Sequence, residues 1–175
     1  MSRAFFKRLT DDRGAVLIEF AIVAPVLVFM MAGVVDMSNA FGRKLVLEQG
    51  TQRAIEKIMQ TTEMDTVEGT LKTEVICQVN GLNANGTCKS TPITTSNVTV
   101  TYRLECKAAG GGITTQTSTD ADAFDALTCT AGSTEARYIS VAVTDKYAPL
   151  FPFNFGSLNA DGTYHVSATA GMRTQ

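Results

Sequence analysis

Apolar residues along this chain fall into three patterns. From Ala15 to Val35 they are nearly continuous, reading AVLIEFAIVAPVLVFMMAGVV, with Glu19 and Pro25 as the interruptions. From Asp36 onward they thin to a spacing of three to four: Met37, Ala40, Phe41, Leu45, Leu47, Ala54, Ile55, Ile58 and Met59. Arg43, Lys44, Glu48, Gln52, Arg53, Glu56 and Lys57 lie between them, so this stretch predicts an amphipathic helix. In the second half of the chain the period drops to two.

The first run is about 21 residues long and covers roughly 31 Å as a helix, enough to cross a bilayer core. The helix is expected to continue without interruption to about Thr62, a length of roughly 70 Å. Gly42 and Gly50 are the expected bend points in its second half, and Pro25 is an expected kink. Val67, Leu71, Val75 and Val79 recur at intervals of four, which favours a second helix over a strand across 65–79, capped by Asp65 or Thr66.

Three strands follow from strict alternation. The first runs over 97–107, with Val98, Val100, Tyr102, Leu104 and Cys106 on one face. The second is Arg137 to Asp145, with Ile139, Val141 and Val143 inward. The third is Thr163 to Met172, after a turn at Asn159-Ala160-Asp161-Gly162. Alternation of this kind suits an antiparallel sheet with one face covered. The Gly- and Thr-rich stretch from Ala108 to Glu135 reads as a long loop. The segment from Tyr147 to Phe155 reads as a hydrophobic lid over the sheet edge, with a subunit or membrane contact as the functional alternative. The fold class expected is α+β. A long N-terminal transmembrane helix continues into an amphipathic stalk, packed on a small antiparallel sheet of about three strands.

Charge and cysteine content place the chain. The net charge is −2, and no basic patch points to nucleic acid. Arg3, Lys7, Arg8 and Arg13 precede the apolar run, which favours a cytoplasmic N-terminus, though Arg43 and Lys44 weaken the contrast. All four cysteines follow the run, and none forms a CxxC pair. They read as two disulfides beyond a membrane rather than as a zinc site. Three connectivities are open. Cys77–Cys88 with Cys106–Cys129 is favoured because each pair closes a short loop.

Catalytic and metal chemistry is thinly represented. His165, the only histidine, falls on the polar face of a strand. Asp120, Asp122 and Asp125 could attract calcium but lack the EF-hand pattern. No cofactor, metal or enzymatic activity is expected. Glu19 is the residue that demands explanation. A carboxylate this deep in an apolar run costs on the order of 2.5–3.5 kcal/mol on insertion scales, so it calls for a cationic partner.

Arg13-Gly14, four apolar residues, Glu19-Phe20 and a hydrophobic helix together resemble the class III signal of type IV pilins and pseudopilins. Ala21-Ile22-Val23-Ala24-Pro25-Val26-Leu27 after Glu19-Phe20 is similar to the TadE/TadF pseudopilins of the Tad (Flp, type IVc) pilus system. The resemblance implies a leader over 1–14 and cutting by a prepilin peptidase between Gly14 and Ala15. It also implies pairing of Glu19 with the new α-amino group of Ala15. The parts would then be an assembly helix over 15–35, its amphipathic continuation over 36–62 and a periplasmic α+β head over 63–175. The implied partners are the peptidase, other pilin and pseudopilin subunits, the inner-membrane pilus assembly platform and membrane lipid. A single-span anchor carrying a binding module, not processed as a pilin, is the rival reading.

Overall fold

A computed structural model describes residues 12–60, 67–151 and 159–174. Residues 1–11, the cap positions Asp65 and Thr66, and the far end of the aromatic segment lie outside the described residues. Helix α1 runs Asp12–Gln60 and α2 runs Val67–Asn80. Strand β1 is Val98–Lys107, β2 is Ile113–Ser118, β3 is Thr134–Tyr147 and β4 is Tyr164–Arg173. A short helix α3, Ala121–Asp125, separates β2 from β3. The sheet is fully antiparallel, in the order β2-β1-β3-β4.

The expected α+β architecture is present, with the sheet count corrected from three strands to four. The added strand lies inside the stretch read as a loop. Gly110-Gly111-Gly112 forms the turn of a β1–β2 hairpin, with Gly111 at φ 88° where a side chain would be strained. Strand β2 reads ITTQTS and is largely exposed. It carries no apolar alternation because, as an edge strand, it is held by backbone pairing to β1 and buries almost nothing.

The alternating residues form the core as expected. Val98, Val100, Tyr102, Leu104 and Cys106 of β1 are buried, as are Ile139, Val141 and Val143 of β3 and Val166 and Ala168 of β4. Val100 pairs with Val141, which pairs in turn with Ala170, so the inward rows stay in register. The C-terminal half of α1 and all of α2 cover this face through Leu47, Ala54, Ile55, Ile58, Leu71, Val75 and Val79. Phe124 of α3 stacks on Tyr102 with ring centroids 5.3 Å apart.

Two disulfides join Cys77 to Cys88 and Cys106 to Cys129, the favoured pairs. The first ties the end of α2 to the following loop, and the second ties the α3 segment to β1. Lys57 of α1 reaches Glu74 of α2 at 2.7 Å. Burial pushes the Glu74 carboxyl up, but the hydrogen bond from Gln78 and the Lys57 ammonium outweigh it, so its net shift is downward.

Gly50 does more than weaken the helix: α1 comes close to α2 there. It is buried, and a Cβ built there would lie 2.6 Å from Val79 Cγ2 and 3.2 Å from Val79 N. Pro25 lies inside α1.

Candidate assembly and membrane helix

From Val16 to Met31 the side chains of α1 stand open almost all round. Phe20 is 67% exposed and Ile22 68%, and Val16, Leu17, Ile18, Val26, Phe29 and Met30 are similarly open. An 18-residue window of this helix reaches a mean hydropathy of 2.4. A helix apolar on all sides and uncovered by its own protein fits a lipid or helix-bundle environment rather than water. Glu19 is exposed on this surface, and no described residue forms an ion pair with it. Gly14 and Ala15 fall within the first turns of α1.

Beyond the apolar run, α1 presents two apolar faces that the sequence merged into one. Leu47, Ala54, Ile55 and Ile58 turn inward onto the sheet and α2. Met37, Phe41 and Leu45 are 44%, 59% and 54% exposed and continue the line of Met30 and Val34 outside that packed face. Both sets recur at helical spacing, so the sequence does not tell them apart. Only the position of the sheet separates them. Ala40, Phe41 and Lys44 form one wall of a shallow groove, and Tyr164, His165 and Ser167 of the edge strand β4 form the other.

The junction between the apolar run and the head is built on Asp36. Asp36 is the first charged residue after the apolar run, and it is 2% exposed. Its carboxylate accepts the Leu150 N–H at 2.6 Å, the Phe151 N–H at 3.1 Å and the Tyr147 hydroxyl at 3.3 Å. One helical residue thus holds the whole turn that leaves β3. Two turns further on, the Arg43 Nε donates to Asp145 near the end of the same strand at 2.5 Å. No local signal could have shown this, because Tyr147 lies 111 residues from Asp36.

Burial raises the Tyr147 pKa above its ordinary value, and the nearby Asp36 charge raises it further. A raised folded-state pKa makes the neutral phenol the form that favours folding. This contribution is complete below the ordinary tyrosine value near 10 and is lost as pH rises through the higher folded value. An ultraviolet absorbance titration should therefore lose a late-ionising component in Tyr147→Phe. A titration curve unchanged by Tyr147→Phe would contradict the geometry.

The acidic trio does not converge. Asp120 caps α3 by accepting the Ala123 N–H, and Asp125 faces Arg137 at 3.7 Å. Among the described residues no group of three or more His, Cys, Asp or Glu side chains is placed to hold a metal. His165 is exposed on β4, as the alternation placed it.

Neither a curated protein nor a solved structure matches the chain. The family model described as TadE-like protein matches residues 14–55, which begin at the Gly of the motif and end in the packed part of the helix. Over that segment, the open apolar run and its amphipathic continuation, helix α1 is TadE-like.

Proposed function

We propose that this chain is a pseudopilin or minor pilin of a Tad-type pilus, anchored by α1 with its head outside the cytoplasm. The observation that carries the reading is that the TadE-like match over residues 14–55 falls on the apolar run of α1 that its own protein leaves uncovered. In this reading a prepilin peptidase cuts between Gly14 and Ala15. The Ala15 α-amino group then becomes the cation that Glu19 needs, within one subunit or on a neighbour. A charge-assisted pair in a low dielectric is far stronger than the same pair in water, and an unpaired carboxylate is correspondingly costly. Pairing can thus select the register in which helices assemble. The continuous open line of Met30, Val34, Met37, Phe41 and Leu45 offers the packing surface for neighbouring pilin helices. The role is structural: packing rather than chemistry.

Co-expression with and without a prepilin peptidase tests this, with the mature N-terminus read by mass spectrometry. Ala15 is the expected first residue when the peptidase is present. An intact leader under those conditions would overturn the reading. Glu19→Ala should insert into membranes normally but lose assembly with partner pilins, and normal fibres from this variant would remove the pairing argument.

A further inference from the structure

We propose that the turn after β3, Ala148–Phe151, docks into the headgroup layer of the membrane crossed by α1, making a second lipid contact beside the helix. The proposal rests on the reading of α1 as a membrane span. Asp36 follows directly on the apolar run that ends at Val35, so it marks the level at which the helix leaves the hydrocarbon. Its carboxylate grips the backbone N–H groups of Leu150 and Phe151 at 2.6 and 3.1 Å. Those two residues are therefore held at the same level.

Burial extends below that level on one face of α1. Ala32, one turn before Asp36, is 7% exposed, whereas Met31 and Val34 beside it are each 68% exposed. The side chains of the turn are not used up in the core. Leu150 is 65% exposed and Phe151 37%. The sequence Ala148-Pro149-Leu150-Phe151 carries no charge. A single exposed leucine on a soluble surface needs no explanation. Here the exposed pair is held at the level where the apolar helix leaves the hydrocarbon, which identifies lipid as the occupant. Tyr147 adds an aromatic ring with a polar tip at the same boundary, the residue type favoured at membrane interfaces. Apolar side chains that enter this layer sit about 5–10 Å into the headgroup and acyl boundary.

The chain contains no tryptophan, so single tryptophans report cleanly. The test uses the full chain in phosphatidylcholine vesicles with and without lipids brominated on the acyl chains. Leu150→Trp is the probe and Leu27→Trp, inside the span, the positive control. Ile113→Trp is the distal control. Ile113 pairs with Lys107, which pairs with Thr134 at the opposite end of β3 from Tyr147, roughly 43 Å away along the strand. Leu150→Trp should emit to the blue of Ile113→Trp and be quenched several-fold more strongly by brominated lipid. If Leu27→Trp is quenched while Leu150→Trp behaves like Ile113→Trp, the docking proposal is overturned and the span stands. If Leu27→Trp escapes quenching as well, the spanning reading falls and takes this proposal with it.

Discussion

Gly50→Val should destabilise the packed part of the chain by about 1–3 kcal/mol. The reason is the atoms that the new side chain would meet. The first carbon alone would lie 2.6 Å from Val79 Cγ2, 3.2 Å from Val79 N and 3.3 Å from Val79 Cα. A side-chain tip can rotate away, but a backbone nitrogen cannot. Val79 is also poorly free to retreat, since α2 ends beside the Cys77–Cys88 disulfide and the Gly81 N–H bonds back to the Cys77 carbonyl. Helices α1 and α2 would have to separate, loosening Leu47, Thr51 and Ala54 from Leu71 and Val75. Overpacking of this kind costs about 1–3 kcal/mol, and valine recovers only a few tenths through its better helix propensity. The unfolding midpoint of the full chain in mild detergent should fall by on the order of 10 °C. Gly50→Ala should fall less, because its propensity gain of about 1 kcal/mol partly offsets the clash. A valine variant that melts with the wild type would show that the helices do not cross this closely.

Asp36→Ala is expected to release the turn after β3 while leaving the rest of the head folded. The substitution removes one carboxylate and strands three donors: two backbone N–H groups and the Tyr147 hydroxyl. Each hydrogen bond to a charged acceptor contributes about 1.5–3 kcal/mol. Their sum is an upper bound, because a turn that opens can recover hydrogen bonds from water. A net local cost of about 3 kcal/mol corresponds to roughly a hundredfold faster amide exchange. The readout is hydrogen exchange at Leu150 and Phe151, with the β1 and β3 amides as internal reference. Unchanged exchange at those two positions would remove Asp36 as the anchor. Uniform acceleration across the sheet would show instead that the junction supports the whole head. Arg43 gives the second tie between α1 and β3, and it is the reason for expecting a local release rather than complete detachment.

These two residues show where sequence reading stopped. Gly50 was legible as a helix weak point, which is its generic effect on a lone helix. Its contact with Val79 depends on how two helices cross. Asp36 was legible as the first charge after an apolar run. Its partners lie more than a hundred residues away and two of them are backbone groups, which have no sequence signature. Strand β2 was hidden for a related reason. Its pairing uses backbone N–H and C=O groups that every residue carries, and its side chains bury too little to leave an alternating trace. Arg137 belongs with these. It packs over the Phe124 ring at 5.0 Å and donates to the Leu127 carbonyl, holding the α3 segment against the sheet.

The candidate assembly site was more legible than the head because its physics is local. A bilayer-length apolar run, a buried-cost carboxylate at Glu19 and a Gly at a fixed distance before it all lie within one stretch of chain. The family match over residues 14–55 falls on that same stretch.

By itself the sequence determined the continuous helix from the apolar run into its amphipathic half, the second helix, three alternating strands and the favoured cysteine pairs. Each is written in the spacing of neighbouring residues, and spacing survives without knowledge of the fold. Tertiary structure alone decided which apolar stripe of α1 faces the sheet and which stays open. It also decided that Gly50 is a crossing point, that a polar segment becomes the fourth strand and that Asp36 holds the turn after β3. Those outcomes depend on surfaces meeting across long stretches of chain, where burial and hydrogen bonding are set by the partner rather than by the residue.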